Sequence, residues 1–222
     1  MKIAVRIIST VICFAILFAF CSCGDSKKAT PEIDGFEGNV ATFENYETKN
    51  PVVAISVKYY GVIVIELYPD IAPNTVNNFI SLVKSGFYDN NTIHRMQPNF
   101  VIQGGDPTGT GSGTPGYFIK GEFAANGFAN PLKHTKYVVS MARRSSSYDT
   151  AGCQFFIMLG DSASLDGYYA AFGKVIDGFD VCDEIAKITR YGSMGKLTQN
   201  LTITKAVVDT KGVEYPEPEI IK

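Results

Sequence analysis

From Val52 onward, short apolar runs alternate with turn residues, and most of these runs are too short for helices. Val53, Ile55 and Val57 occupy every second position, which predicts a strand. Further strand-like runs, rich in β-branched and aromatic residues, lie at residues 62–67, 92–96, 100–103, 137–141, 154–159, 170–175 and 201–208. The pattern therefore predicts a mainly β domain.

Two segments follow the helical period instead. An apolar stripe with i, i+3, i+4 and i+7 spacing begins at Val76 and ends at Val83, and Gly86 stands where a helix C-cap belongs. Residues 179–188 form the second helical segment. Many short strands with only two well-separated helices favour a closed antiparallel barrel whose ends the helices cover.

The N-terminal segment has the layout of an export signal. Lys2 and Arg6 precede an almost wholly apolar run at residues 7–20, and small residues and cysteines follow it. The run is shorter than the roughly 20 apolar residues that a transmembrane helix needs. A secretory signal is therefore favoured over a membrane-spanning anchor.

The cysteine after the apolar run resembles the lipobox of bacterial lipoproteins, in which that cysteine becomes the N-terminus and carries the lipid. Cys23 follows the small Ser22, whereas Cys21 follows the bulky Phe20. We therefore predict lipidation at Cys23, with Cys21 as the alternative. The resemblance implies a protein that is lipid-anchored to a cell membrane and faces the outside of the cytoplasm.

These features predict the organisation of the whole chain. Residues 1–22 are the predicted lipoprotein signal peptide, and residues 23–50, which are polar and show no period, are a predicted flexible membrane tether. The folded domain is predicted at residues 51–211, and a C-terminal tail at residues 212–222.

The net charge and the number of cysteines limit the kinds of ligand and site that the domain can have. A net charge of -2 leaves no basic footprint for nucleic acid. Apart from the N-terminal cysteines Cys13, Cys21 and Cys23, only Cys153 and Cys182 remain, and with the two histidines they are too few and too scattered for a disulfide framework or a metal site. We expect no metal, no cofactor, no nucleic-acid partner and a monomeric domain.

Several short segments resemble, in the same order, the motifs of the cyclophilin family. They are Ile93-His94-Arg95, Pro98-Asn99-Phe100, Gln103-Gly104-Gly105-Asp106, Leu132-Lys133-His134-Thr135, Ser140-Met141-Ala142, Gln154-Phe155-Phe156-Ile157, Leu165-Asp166-Gly167 and Phe172-Gly173-Lys174-Val175. The resemblance covers residues 53–209. It implies an eight-stranded antiparallel β-barrel capped by two α-helices, and a peptidyl-prolyl cis–trans isomerase that acts on proline-containing peptides and unfolded exported proteins.

The resemblance also assigns catalytic residues. Arg95 matches the family's catalytic arginine, and Gln103 matches the glutamine that contacts substrate and steadies it. Isomerisation makes and breaks no covalent bond, so a fixed cation with N–H donors aimed at the prolyl nitrogen is the group that helps most. Arginine suits this role because its rigid donor fork stays charged at any working pH.

The remaining site residues are implied by the same motifs. The walls of the proline pocket correspond to Phe100, Val101, Phe156 and Leu165. Tyr169 falls at a substrate-binding position where many family members have histidine, and its hydroxyl can still donate a hydrogen bond. Ala142 and Arg143 match the segment whose backbone binds an extended peptide. Residues 144–152 are longer than in some family members, so the motif gives no assignment beyond Arg143.

Three functions fit these residues. The first is an active prolyl isomerase, the second a barrel that holds proline-containing segments as a chaperone or scaffold, and the third a surface lipoprotein that attaches to a host or matrix. Binding alone needs only the apolar pocket. The presence of both Arg95 and Gln103 therefore favours the isomerase.

Overall fold

The computed structural model describes residue 43, residues 46–191 and residues 195–222. The predicted signal peptide, both candidate lipidation sites Cys21 and Cys23, and most of the predicted tether lie outside these residues. Among the described residues, no helix is long and apolar enough to cross a membrane.

The described chain forms nine strands and two helices. The strands are β1 (Val52–Val57), β2 (Gly61–Leu67), β3 (Asn91–Gln97), β4 (Val101–Gly104), β5 (Val138–Met141), β6 (Phe155–Met158), β7 (Ala171–Asp177), β8 (Arg190–Tyr191) and β9 (Lys196–Asp209). The helices are α1 (Pro73–Lys84) and α2 (Phe179–Ile185). Short 3-10 turns occupy Ala124–Asn126 and Ala163–Leu165.

The strands close into an antiparallel barrel. Their order is β1-β2-β7-β5-β6-β4-β3-β9-β8, and a further pairing between β1 and β9 closes the ring. The two-residue β8 pairs with the start of β9 and stands outside the ring, so eight strands form the barrel. The predicted eight-stranded barrel with two helices is confirmed.

Alternation along the strands separates an interior face from an outer face. Ile102 and Ile157 belong to the main core inside the barrel, whereas their neighbours Val101, Phe156 and Met158 form a second apolar cluster on the outside. Side chains of successive strand residues point to opposite faces, which explains the split. The second cluster is the floor of the site described below.

Helix α1 covers one end of the barrel. Its predicted stripe is buried, and Phe79 lies at the centre of an aromatic group, with ring centroids 5.2 Å from Tyr88, 5.4 Å from Phe155 and 5.0 Å from Phe172. Gly86 follows the helix with a φ of 71°, the left-handed conformation expected after a helix C-terminus.

The residues flanking the barrel also pack on it. Phe43 is buried against the outer face of β1 and β2, and the Tyr46 hydroxyl donates to Asp177 over 2.6 Å. Lys211 donates to the Phe43 carbonyl over 2.9 Å. Phe43 and Tyr46, near the end of the predicted tether, therefore lie on the domain, because burial of their aromatic rings there is favourable. For the residues that are not described, the tether stays a prediction.

Candidate active site

The hairpin of β3 and β4 places Arg95 directly opposite Gln103. Arg95 Nη1 donates to Gln103 Oε1 over 3.0 Å, and Nη2 donates to Gln97 Oε1 over 2.8 Å. The guanidinium is therefore held by two amide oxygens, one of which belongs to the predicted glutamine partner. The motifs identified Gln103 but gave no sign of Gln97.

The surroundings of Arg95 favour a strong electrostatic effect. Its guanidinium lies 5.7 Å from the centroid of the Phe100 ring. Burial lowers the pKa of Arg95 from its ordinary value, and Tyr169 opposes that change. An arginine titrates so far above neutrality that the group stays charged. The result is a partly desolvated cation, which acts more strongly on a nearby group than a cation in water.

The predicted site residues line a single cavity of about 180 Å³. Its wall contains Arg95, Phe100, Val101, Gln103, Ala142, Arg143, Phe156, Leu165 and Tyr169. Every catalytic and substrate-binding residue predicted from the motifs is therefore brought to this one place. The deepest wall is apolar, since Val101 is 2% exposed and Phe156 5% exposed.

A buried polar network supports the apolar wall. His134 Nδ1 lies 3.1 Å from Asp166 Oδ1, and Nε2 lies 3.1 Å from Ser140 Oγ. The imidazole stacks on Phe156 with ring centroids 6.1 Å apart. Burial lowers the pKa of His134, and the hydrogen bond that the ring makes to the Asp166 carboxylate only partly opposes this, so the ring is neutral near pH 7. The network holds Phe156 in place.

A series of side-chain amides extends from Arg95 and Gln103. Gln103 Nε2 donates to Gln154 Oε1 over 3.0 Å, and Gln154 Nε2 donates to the carbonyl of Gly113 over 3.1 Å. Gln154 was part of a recognised motif but was not predicted as a site residue. Its position two residues before Phe156, directly before β6, was the available signal.

The loop that contains Gly113, the last acceptor in this series of amides, is built around a buried carboxylate. Asp106, which is 1% exposed, accepts hydrogen bonds from the backbone and hydroxyl of Thr108 and from the backbone of Gly111. These bonds lower the pKa of Asp106 although burial alone would raise it. The Gly-rich stretch is a loop wrapped on an ionised aspartate.

This loop forms one wall of a second cavity, of about 130 Å³. The second cavity is lined by Gln103, Gly111, Ser112, Gly113, Thr114, Phe118, Ala142, Arg143, Arg144, Thr150, Gly152, Cys153 and Gln154. Gln103, Ala142 and Arg143 line both cavities, so the two are neighbours along one groove. The sequence motifs did not indicate this second cavity.

Burial keeps both thiols of the domain protonated at neutral pH. Burial raises the pKa of Cys153 to about 12, and burial likewise raises the pKa of Cys182 to about 12. Both cysteines are free and buried. Among the described residues, no three His, Cys, Asp or Glu side chains form a group that could hold a metal ion.

Known proteins of one family are similar to this chain. The family model of "Cyclophilin type peptidyl-prolyl cis-trans isomerase/CLD" matches residues 52–208. "Peptidyl-prolyl cis-trans isomerase-like 1" of Gibberella zeae is 41% identical over 149 residues, which cover 67% of this chain and 89% of that protein. "Peptidyl-prolyl cis-trans isomerase B" of Bacillus subtilis is 48% identical over 115 residues, covering 52% and 76%.

A solved structure shares the fold. The crystal structure of a Cryptosporidium parvum cyclophilin type peptidyl-prolyl cis-trans isomerase, determined in the presence of the dipeptide Ala-Pro, superposes with a TM-score of 0.64. It is 33% identical in sequence, and the match covers 71% of this chain and 98% of that chain.

Proposed function

This chain belongs to the family of cyclophilin-type peptidyl-prolyl cis–trans isomerases, and we propose that it isomerises X-Pro bonds of exported proteins from a lipid anchor outside the cytoplasm. Rotation about an X-Pro bond has a barrier of about 18–20 kcal/mol because amide resonance is lost in the twisted state. The enzyme must therefore bind the twisted state more tightly than either planar state.

The apolar cavity holds the proline ring. Val101 and Phe156 form its floor, and Phe100 and Leu165 pack beside them. Ring and wall are both apolar, so burial supplies binding free energy without a directional bond. With the ring fixed, rotation of the preceding carbonyl is the motion that remains, which lowers the entropic part of the barrier.

The guanidinium of Arg95 stabilises the twisted amide. When resonance is lost, the prolyl nitrogen gains a lone pair, and a positively charged N–H donor stabilises that lone pair. Arg95 stands at the rim of the proline cavity and is held there by Gln103 and Gln97. Preorganisation of this kind costs no rearrangement during the reaction.

The hydrogen bond between Arg95 and Gln103 at the edge of an apolar pocket is the observation that carries the isomerase function. Its test is the cis-to-trans rate of an X-Pro peptide, followed by exchange spectroscopy with the purified chain. We expect acceleration without added metal. A protein that binds the peptide but leaves the rate unchanged would be a chaperone or scaffold instead.

The location is supported by the sequence before residue 24. Lys2 and Arg6, the apolar run at residues 7–20 and the Ser22-Cys23 pair follow the order of a bacterial lipoprotein signal. A diacylated cysteine would hold the enzyme at the membrane surface, where exported chains emerge unfolded.

Cys23→Ser is expected to abolish lipidation. Metabolic labelling with a fatty-acid analogue should show label on the wild-type chain and none on Cys23→Ser, and the variant should leave the membrane fraction. Cys21→Ser is the matched control and should keep its label. Label that persists on Cys23→Ser but disappears from Cys21→Ser would move the lipidation site to Cys21.

A further inference from the structure

The second cavity has an uneven distribution of charge. Two of its lining residues, Arg143 and Arg144, are cationic, and none of its lining residues is an aspartate or glutamate. A peptide that occupies the proline cavity continues into this cavity within a few residues, because the two share part of their walls. A substrate side chain that enters the second cavity therefore lies close to the positively charged Arg143 and Arg144.

Arg143 is fixed in position and keeps donors available. Its guanidinium lies 5.5 Å from the ring centroid of Phe123, 4.9 Å from that of Tyr148 and 4.7 Å from that of Tyr169. Nε donates to the Tyr168 carbonyl and Nη1 to the Arg144 carbonyl. Within the described part of the chain, Nη2 has no acceptor. A caged cation with unused N–H groups is suited to bind a carboxylate.

Arg144 lies over Phe118, and Phe118 in turn pairs with a segment outside the matched family region. Its guanidinium lies 5.1 Å from the ring centroid of Phe118. Phe118 and Ile221 exchange two backbone hydrogen bonds, of 2.9 and 2.7 Å. Asn74 on α1 holds the same C-terminal segment, because its side chain donates to the Glu219 carbonyl and accepts from the Glu219 amide. The predicted C-terminal tail thus helps to build the cavity wall.

The acidic groups of Asp106 and Cys153, which lie close to the second cavity, do not cancel the positive charge of its wall. Asp106 lies behind the glycine loop, and its oxygens already accept from Thr108 and Gly111. The thiol of Cys153 stays protonated at neutral pH because burial raises its pKa to about 12. No side-chain hydrogen-bond acceptor is engaged by Arg144 within the described residues, so its guanidinium is open to a ligand.

We propose that the second cavity selects X-Pro substrates that carry an aspartate or glutamate side chain within a few residues of the proline. The inference rests on the isomerase function and adds a substrate class to it. The acidic side chain would pair with Arg143 and Arg144 while the proline ring occupies the apolar cavity. Such charge-assisted bonds to arginine are stronger than neutral ones and read the planar carboxylate geometry.

The test is a set of peptides that share one X-Pro core. Glu, Gln or Lys is placed two or three residues before the proline, or one or two residues after it, and kcat/KM is measured for each with the full chain. At low salt, kcat/KM for the Glu peptide should be about three- to tenfold higher than for the Gln peptide when the variable residue stands at the position that reaches the cavity. Raising the ionic strength should reduce this ratio, because the pairs are partly exposed.

Charge reversal distinguishes a specific pocket from a general field. In Arg144→Glu the order should invert, so that the Lys peptide becomes better than the Glu peptide, an outcome that misfolding cannot produce. Arg144→Gln should bring the Glu-to-Gln ratio towards one. Lys84→Glu, at the exposed end of α1, makes the same change in net charge away from both cavities and should keep the wild-type order.

Two results would overturn the inference. One is equal kcat/KM for Glu, Gln and Lys peptides at every position in the wild type, and the other is an unchanged Glu preference in Arg144→Glu. If no peptide is turned over at all, the isomerase function fails instead. Titration of the Glu and Gln peptides by calorimetry would then still decide whether the cavity prefers the acid.

Discussion

Arg95→Ala is expected to lower kcat/KM for X-Pro isomerisation by about 100-fold or more, since loss of one preorganised donor to a transition state costs about 10²–10³ in rate. The guanidinium acts mainly on the twisted amide, so peptide affinity should change much less than turnover. The measurement is the exchange rate of a proline peptide at several substrate concentrations, with circular dichroism and thermal unfolding to verify the fold.

Two further variants separate charge from geometry. Arg95→Lys keeps the positive charge but has no donor fork to reach both Gln103 and Gln97, so it should recover only a small part of the activity. Lys174→Ala, which removes an exposed cation of β7 that lines neither cavity, should behave like the wild type. Full activity in Arg95→Ala would disprove the mechanism.

Glu122→Ala is expected to reduce the free energy of unfolding by roughly 2–4 kcal/mol. Helix α1 starts after Ala72, which has no side-chain cap, and Pro73 occupies its first position. Glu122, only 4% exposed, supplies the cap from a distant loop: Oε1 accepts from the Asn74 amide over 3.0 Å and Oε2 from the Thr75 amide over 2.7 Å.

The size of the effect follows from burial. A carboxylate at a helix N-terminus is favoured by the helix dipole, and its removal leaves the half-buried Asn74 amide and the buried Thr75 amide without acceptors. Guanidinium denaturation should show a lower midpoint with an unchanged slope. Glu122→Gln keeps one oxygen and should lose less, and the exposed Glu214→Ala should lose almost nothing. A loss below about 1 kcal/mol for Glu122→Ala would show that the cap is dispensable.

Local patterns predicted the barrel well because strand and helix periods are set by nearest neighbours. The alternation at Val53, Ile55 and Val57 and the stripe ending at Val83 both gave correct elements. The strand at residues 201–208 is longer than predicted, since β9 begins at Lys196, where it pairs with Arg95 and with β8. That extension depends on a partner strand and leaves little trace in its own sequence.

Some parts of the candidate site could likewise be predicted from local sequence, and others could not. Arg95 and Gln103 were found through motifs whose spacing keeps them together in a hairpin. The pairing of His134 with Asp166 joins residues that are 32 positions apart, and that of Glu122 with Thr75 joins residues 47 apart. Such contacts depend on barrel closure, so neither spacing nor residue type could predict them.

The pairing between β1 and β9 affects how the chain folds during its synthesis. Val52 pairs with Asp209, so the first strand of the barrel completes its hydrogen bonds only with the last one. During synthesis, one edge of β1 therefore stays unpaired until nearly the whole domain has been translated. Pairings of such long sequence separation form slowly, and an exposed strand edge is prone to aggregate. The barrel can therefore close only after its final strand has been translated.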